Sequence, residues 1–393
     1  MRANRIHKKK NGNGRHSGMK KIAMAAVALA CCAAAFGAFS VRADALKVLE
    51  PETLTFEAGK YAQSHEKDLY FAQLRPEYVK GGLTASFILT LAADKGGEVR
   101  DSGNDFFVVD AIEYTNGKRL AVRYREIEGL TFGSGFVVSD YRSNMKGHVP
   151  LNRQRGFEID IDGSNSYVKY FATRSRLQGF RAVRNFGPFS LGCTAVDDSS
   201  PEIREYAADA EIYLPNGRAT IYAETADIKH HGEGFAVGAM GKLTRYASLK
   251  AEFRDFDADF SPGMVDAHYD ARRKLDRVAG AEGRLSGLFT AADLFFDKYK
   301  IYGRITFEDY EQTKSRFTFS GNTEIMDMAR LELFYAQESG VPDTADYRDA
   351  VGRATIVADV RKDTRVKLDL YNGYDDAENS LESIKLSAEF DLR

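Results

Sequence analysis

Nine basic side chains crowd into residues 142–184: Arg142, Lys146, Arg153, Arg155, Lys169, Arg174, Arg176, Arg181 and Arg184. Only Glu158, Asp160 and Asp162 oppose them there, so the segment carries a local net charge of +6. Such a density of guanidinium and ammonium groups, facing acidic strands across a confined water path, would favour anionic solutes. The candidate constriction residues are Arg174, Arg176, Arg181 and Arg184. Neighbours along an extended strand lie within the Debye length of ~8 Å at physiological salt, so their fields overlap. Alternate residues face opposite sides, however, and Arg181 and Arg184 share a side only where a strand is bulged or ends between them. The competing reading puts these arginines in external loops or in ion pairs with acids of a polar lumen.

Other candidate chemistry is thinner. Asp255, Asp257, Asp259 and Asp266 mimic the acidic positions of a calcium loop, but Phe260 stands where that loop needs glycine and Pro262 intrudes. An acidic external loop is the expected identity of this segment, and Asp375, Asp376 and Glu378 read the same way. His230 and His231 are adjacent, and adjacent residues on an extended chain diverge, which makes a poor metal pair. Neither a Gly-x-Ser-x-Gly elbow nor His-Glu-x-x-His occurs, and Gly133-Ser134-Gly135 sits inside an apparent strand. No metal and no cofactor is expected.

The elements that must position these groups begin with a leader. Lys20 and Lys21 precede an apolar run from Ile22 to Phe39, and Val41-Arg42-Ala43 offers small residues at a signal-peptidase site. Residues 1–43 are predicted to be a signal peptide cleaved before Asp44, with Met19 a possible true start. Without that leader the chain holds 46 basic and 57 acidic side chains, a net of −11. A protein so charged has no general reason to seek nucleic acid. Cys193 is the one thiol left, so an intramolecular disulfide is ruled out and the residue reads as packing.

From about residue 50 onward, hydrophobicity alternates with period two. Ile384, Leu386, Ala388, Phe390 and Leu392 share one face, against Lys385, Ser387, Glu389 and Asp391. Ile301–Glu308, Met328–Tyr335 and Arg353–Val360 repeat the pattern, as do Tyr206–Leu214, Arg218–Ala226, Tyr246–Phe253 and Arg365–Tyr371. Hairpin signals fall between such runs at Asn116-Gly117, Asp162-Gly163, Gly187-Pro188 and Pro215-Asn216-Gly217. Strands joined by tight turns are antiparallel, so the chain is a long meander. Three features favour a membrane barrel over a soluble sandwich: Ala and Gly mixed into the apolar face, charges of both signs on the polar face, and no way to hide the sheet edges except closure. The expectation is an all-β, transmembrane antiparallel meander β-barrel of about 14–18 strands, one domain over residues 44–393. The order of short and long connections fails around 297–298 and 311–322, and 141–155 is awkward, so some runs are expected to be merged or folded into the lumen.

The stretch Gly129-Leu130-Thr131-Phe132-Gly133-Ser134-Gly135-Phe136-Val137-Val138-Ser139-Asp140-Tyr141, followed by Arg155-Gly156-Phe157-Glu158-Ile159-Asp160-Ile161-Asp162, resembles a loose group of uncharacterised porin-like outer-membrane β-barrel proteins of diderm bacteria. The resemblance implies a barrel and no particular substrate. The C-terminal strand is similar to those of outer-membrane barrels generally, except that it finishes Phe390-Asp391-Leu392-Arg393 and not on an aromatic residue.

A barrel of at least 14 staves has a lumen wider than its side chains fill. The expected role is therefore a porin-like channel in the bacterial outer membrane, passing small polar solutes, anions included. Its expected partners are outer-membrane lipid and the barrel-assembly machinery. The alternatives are a closed structural or adhesive barrel, a barrel-based hydrolase, and a soluble exported β-protein.

Overall fold

The computed structural model describes residues 51–63, 68–94, 107–117, 119–143, 155–199, 203–266, 269, 283–311, 315–325, 329–337, 350–361, 363–374 and 380–391. The expected leader 1–43, Lys146, Arg153 and the acidic patch at 375–378 lie outside the described residues.

The alternating runs are strands, and each hairpin signal sits in a turn. Among the described residues twenty-two strands follow in chain order, of which 20 form one antiparallel sheet. The first, β1 (Thr53–Gln63), pairs with β2 (Leu69–Lys80) on one side. On its other side it pairs with the last, β22 (Ser380–Asp391), with Thr53 opposite Asp391 and Gln63 opposite Leu381. The sheet closes on itself and leaves no edge.

The 20 staves exceed the expected 14–18. Part of the shortfall comes from β18 (Arg316–Ile325), most of which falls inside a stretch read from sequence as the loop 311–322. Its Ser320-Gly321-Asn322 centre has the composition of a turn, yet it pairs continuously from Phe317 to Ile325 with β19 (Ala329–Gln337). With β18 counted, the connections sort cleanly. One end of the barrel has only links of about two to five residues, and the other carries the long ones, including 95–106, 126–155, 258–283 and 338–349.

The two faces of the wall differ as the alternation requires. Leu191, Ala210, Ala223, Val237, Phe253 and Leu288 lie opposite one another across six successive staves, forming an unbroken apolar row. Leu191, Val237, Phe253 and Leu288 in that row are exposed, as are Ile221, Ile305, Ile356, Ile384 and Leu386 elsewhere. The opposite face carries the buried charge, including Glu57, Asp110, Arg155, Arg181, Asp209, Glu224, Glu252, Arg254 and Asp369. This is an inside-out protein, apolar outward and polar inward.

Candidate functional site

The lumen is not an open tube along its whole circumference. Residues 126–143, between β5 (Leu120–Arg125) and β7 (Gly156–Asp162), fold inward from the long-connection end. Ile127, Leu130, Phe132, Phe136, Val137, Val138 and Tyr141 are 3% exposed or less. A second segment, 258–266, follows β14 (Ala247–Asp257) and enters beside the first with Phe260, Met264 and Val265, and Tyr269 is buried in the same cluster. The two are joined by a short parallel pair, β6 (Val138–Ser139) with β15 (Val265–Asp266), and by Gly263 N–H donating to the Phe136 carbonyl at 2.6 Å. They form one plug.

The acidic segment around Asp255–Asp266 therefore departs from the expected external loop. Its apolar members decide the matter, because Phe260 and Val265 would otherwise stand in water. Asp266 is bound to Arg316 at 2.8 Å. Among the described residues no cluster has the makings of a metal site. His230 and His231 lie in the turn between β12 (Ala219–Ile228) and β13 (Gly232–Thr244).

The plug packs against the half of the wall from β8 (Ser166–Thr173) to β16 (Arg284–Phe296). Phe171, Leu177, Val196, Ile203, Ile228, Phe256 and Leu285 supply the inward apolar surface, all near the long-connection end. Phe136 stacks on Phe260 at 5.2 Å between centroids, and Phe132 meets Phe171 edge-on at 5.6 Å. Each fully buried aromatic is worth about 1.5–3 kcal/mol relative to exposure, so these rings dominate the docking of the plug.

The tip of the plug is held by polar contacts. Gly133-Ser134-Gly135 is a turn in this plug and not part of a strand, with φ of 57° at Gly133 and 89° at Gly135. Any other residue would be strained there. A Cβ at Gly133 would also lie 3.0 Å from Glu224 and 3.1 Å from Arg181. Ser134 donates to Glu224 Oε2 from its hydroxyl at 2.5 Å and from its backbone N–H at 3.1 Å. Lys250 Nζ donates to the Ser134 carbonyl and pairs with Glu252 at 2.9 Å. Tyr269, just beyond the second segment, donates to Asp198 of the wall at 2.8 Å.

The structure separates the four candidate arginines. Arg181, in β9 (Leu177–Phe186), points inward and is 2% exposed. It donates to both carboxylate oxygens of Asp209 at 2.7 and 2.9 Å, to Thr194 at 3.0 Å and to Tyr167 at 2.8 Å. Arg184 lies three residues on, on the exposed outer side, and Arg174 and Arg176 occupy the turn between β8 and β9 at the long-connection end. Only Arg181 of the four is inside the barrel, and it is an ion-pair partner beneath the plug.

The unfilled part of the lumen lies on the other side, between the plug and the staves β17 (Ile301–Tyr310) to β21 (Thr364–Tyr374). One cavity of about 430 Å³ runs along the plug, and its lining includes Thr131, Ser134, Asp140, Lys250, Arg254, Glu308 and Thr318. A second of about 360 Å³ has Glu128, Asp293, Tyr302, Glu332, Arg353 and Lys367 in its lining. Arg142, Arg304, Ser320 and Phe334 line both and mark where the two cavities adjoin, referred to below as the neck. Three of the four come from one row of the sheet. Asp293, Arg304, Ser320, Phe334 and Arg353 are successive cross-strand partners on β16, β17, β18, β19 and β20 (Ala350–Arg361). Arg142 reaches across from the plug, its guanidinium 5.9 Å from the Phe334 ring centre. Sequence reasoning named Arg142 within the basic segment but missed Arg304, Ser320 and Phe334, whose meeting depends on the registers of two hairpins.

No family model matches the chain, and no curated protein matches it. Among solved structures it is similar to Pseudomonas aeruginosa OpdK with vanillate, at 9% identity and a TM-score of 0.37 over 86% of this chain and 97% of that one. A BenF-like porin from Pseudomonas fluorescens Pf-5 gives 9% identity and a TM-score of 0.38, covering 86% and 97% of the two chains. Wzi, a carbohydrate-binding β-barrel of Escherichia coli involved in capsule assembly, gives 9% and 0.38, covering 89% and 86%.

Proposed function

We propose that this protein is an outer-membrane channel of porin type, in which small polar solutes pass between the plug and the staves β17–β21. The observation that carries the reading is the pair of polar cavities joined at Arg142, Arg304, Ser320 and Phe334. A barrel built only as a scaffold needs no charged, water-accessible strip beside an otherwise apolar plug. A modest preference for anions belongs to the same proposal, with whatever contribution Arg174, Arg176, Arg181 and Arg184 make to the field. Export by the 1–43 leader and insertion by the barrel-assembly machinery complete it.

Liposome swelling with neutral sugars of graded size tests the channel. Small sugars should enter, with a size cut-off set by the neck. Liposomes that stay osmotically silent to every sugar would leave the closed structural barrel as the better account, a reading favoured by the buried apolar core of the plug.

The membrane placement has its own test. Leu386 is exposed on the outer face near the middle of β22, and its neighbour Ser387 is buried on the inner face. Leu386→Arg should cost about 2–4 kcal/mol if it sits near the bilayer midplane. Ser387→Arg faces the lumen and Glu57, the residue opposite it on β1, and should cost much less. Unfolding from lipid vesicles in urea measures both, and equal penalties would contradict a lipid-facing exterior.

A further inference from the structure

The neck and the cavity beside it hold two cationic side chains that the protein's own acids engage weakly or not at all. Among the described residues the Arg304 guanidinium makes no hydrogen bond, and its one ion pair there is a loose contact with Asp293 at 3.6 Å. Its side chain is 52% exposed to the cavities on either side. The Lys367 ammonium, two strands beyond Phe334 and lining the second cavity, has neither an ion pair nor a hydrogen bond among the described residues.

The carboxylates around them are committed. Asp293 accepts from Ser248 at 3.1 Å, and Glu332 is paired with Arg330 at 2.7 Å. Asp140 takes two nitrogens of Arg142, and Asp369 takes two nitrogens of Arg353 together with the Thr355 hydroxyl. A charged donor set left open beside acids that are already satisfied has one unmet demand: an acceptor bearing negative charge.

We infer that the neck is an oxyanion-binding station, in which a carboxylate or phosphate of a permeating solute is held by Arg304, with Ser320 at its side and Arg142 and Lys367 supplying field. The inference rests on the channel reading and adds the class of solute that is slowed there. Phe334 gives the neck an apolar floor, so the rest of the solute need not be charged. The guanidinium of Arg304 matters for its fork of N–H donors as well as for its charge. It stands on a rigid stave, whereas Arg142 stands on the plug. Arg304 is thus the fixed half of the station.

The experiment is single-channel recording of the full-length protein in planar bilayers, with acetate and, separately, phosphate added at constant chloride. Both anions should reduce chloride current in the unmodified protein. In Arg304→Gln the half-blocking concentration should rise about tenfold, as expected for losing a hydrogen bond to a charged group. Arg304→Lys should keep the chloride-over-potassium preference while recovering little of the oxyanion affinity. Arg204→Gln, on the exposed outer side of β11 (Ile203–Tyr213), should behave as the unmodified protein does. A loss confined to one anion keeps the station and identifies the solute class that uses it. Unchanged block in Arg304→Gln, with normal conductance, overturns the station and leaves the channel standing. An unmodified protein that never conducts overturns both. Arg304 holds no structural hydrogen bond, so heat-modifiable migration of the variant should match that of the parent and exclude misfolding as the cause.

Discussion

Replacing Arg181 by Gln should lower the unfolding free energy by about 3–5 kcal/mol, the usual consequence of removing one partner from a buried ion pair. The guanidinium is 2% exposed and fills both oxygens of Asp209. Without it the Asp209 carboxylate is left without its partner in a place that water does not reach, because the plug tip covers the pair from above and Thr194 and Tyr167 close the sides. The cost comes from the orphaned partner more than from the lost attraction, so removing both should be milder. Arg181→Met combined with Asp209→Leu should recover most of the loss. Urea unfolding in lipid vesicles, followed by tyrosine fluorescence, gives all three numbers. A neutral Arg181→Gln would mean that the pair stands in water and the plug does not cover it.

Phe136→Ala should loosen the plug without opening the barrel. Phe136 is wholly buried, stacked on Phe260 and beneath the Arg254 guanidinium at 5.6 Å. Truncation of a core phenylalanine costs about 3–5 kcal/mol, and here the loss falls on contacts between plug and wall. The staves keep their own closed hydrogen-bond ladder, so global stability should fall far less than docking of the plug. Larger and noisier single-channel currents are expected, with heat-modifiable migration retained. Identical currents would place Phe136 outside the element that narrows the lumen.

The wall was legible in the sequence because lipid and lumen impose opposite demands on alternate residues. The inward and outward sets read from Lys385–Phe390 and Arg353–Val360 are those observed. The plug was less legible. Leu130, Phe132 and Phe136 can be read as one face of a strand, and that reading put Gly133-Ser134-Gly135 in a stave. Two signals argue against it. Phe136, Val137 and Val138 are consecutive, which leaves no polar face for a lumen, and Gly129, Gly133 and Gly135 all adopt positive φ. Apolar sequence of both parities with closely spaced glycines describes a segment packed on all sides.

The neck was hidden for a different reason. Arg304, Ser320, Phe334 and Arg353 each look like ordinary polar-face or alternating residues. They become neighbours only through the registers of β17 to β20, which turn length and bulges set and which a single sequence does not display. Arg174, Arg176, Arg181 and Arg184 drew attention by density along the chain, yet one side chain is inside, one outside and two in a turn. Charge density in sequence becomes a field only after the fold has chosen the faces.

Cysteine accessibility inside the barrel tests the central claim, a path beside the plug and along β17–β21. In a Cys193→Ala background, Ser320→Cys marks the neck and Ala207→Cys marks the wall beneath the plug, where Ala207 is 8% exposed. A membrane-impermeant, charged thiol reagent added during single-channel recording should reduce the Ser320→Cys current in discrete steps and leave the Ala207→Cys current unchanged. Modification at Ala207→Cys with none at Ser320→Cys would put the water path through the region assigned to the plug and contradict the account.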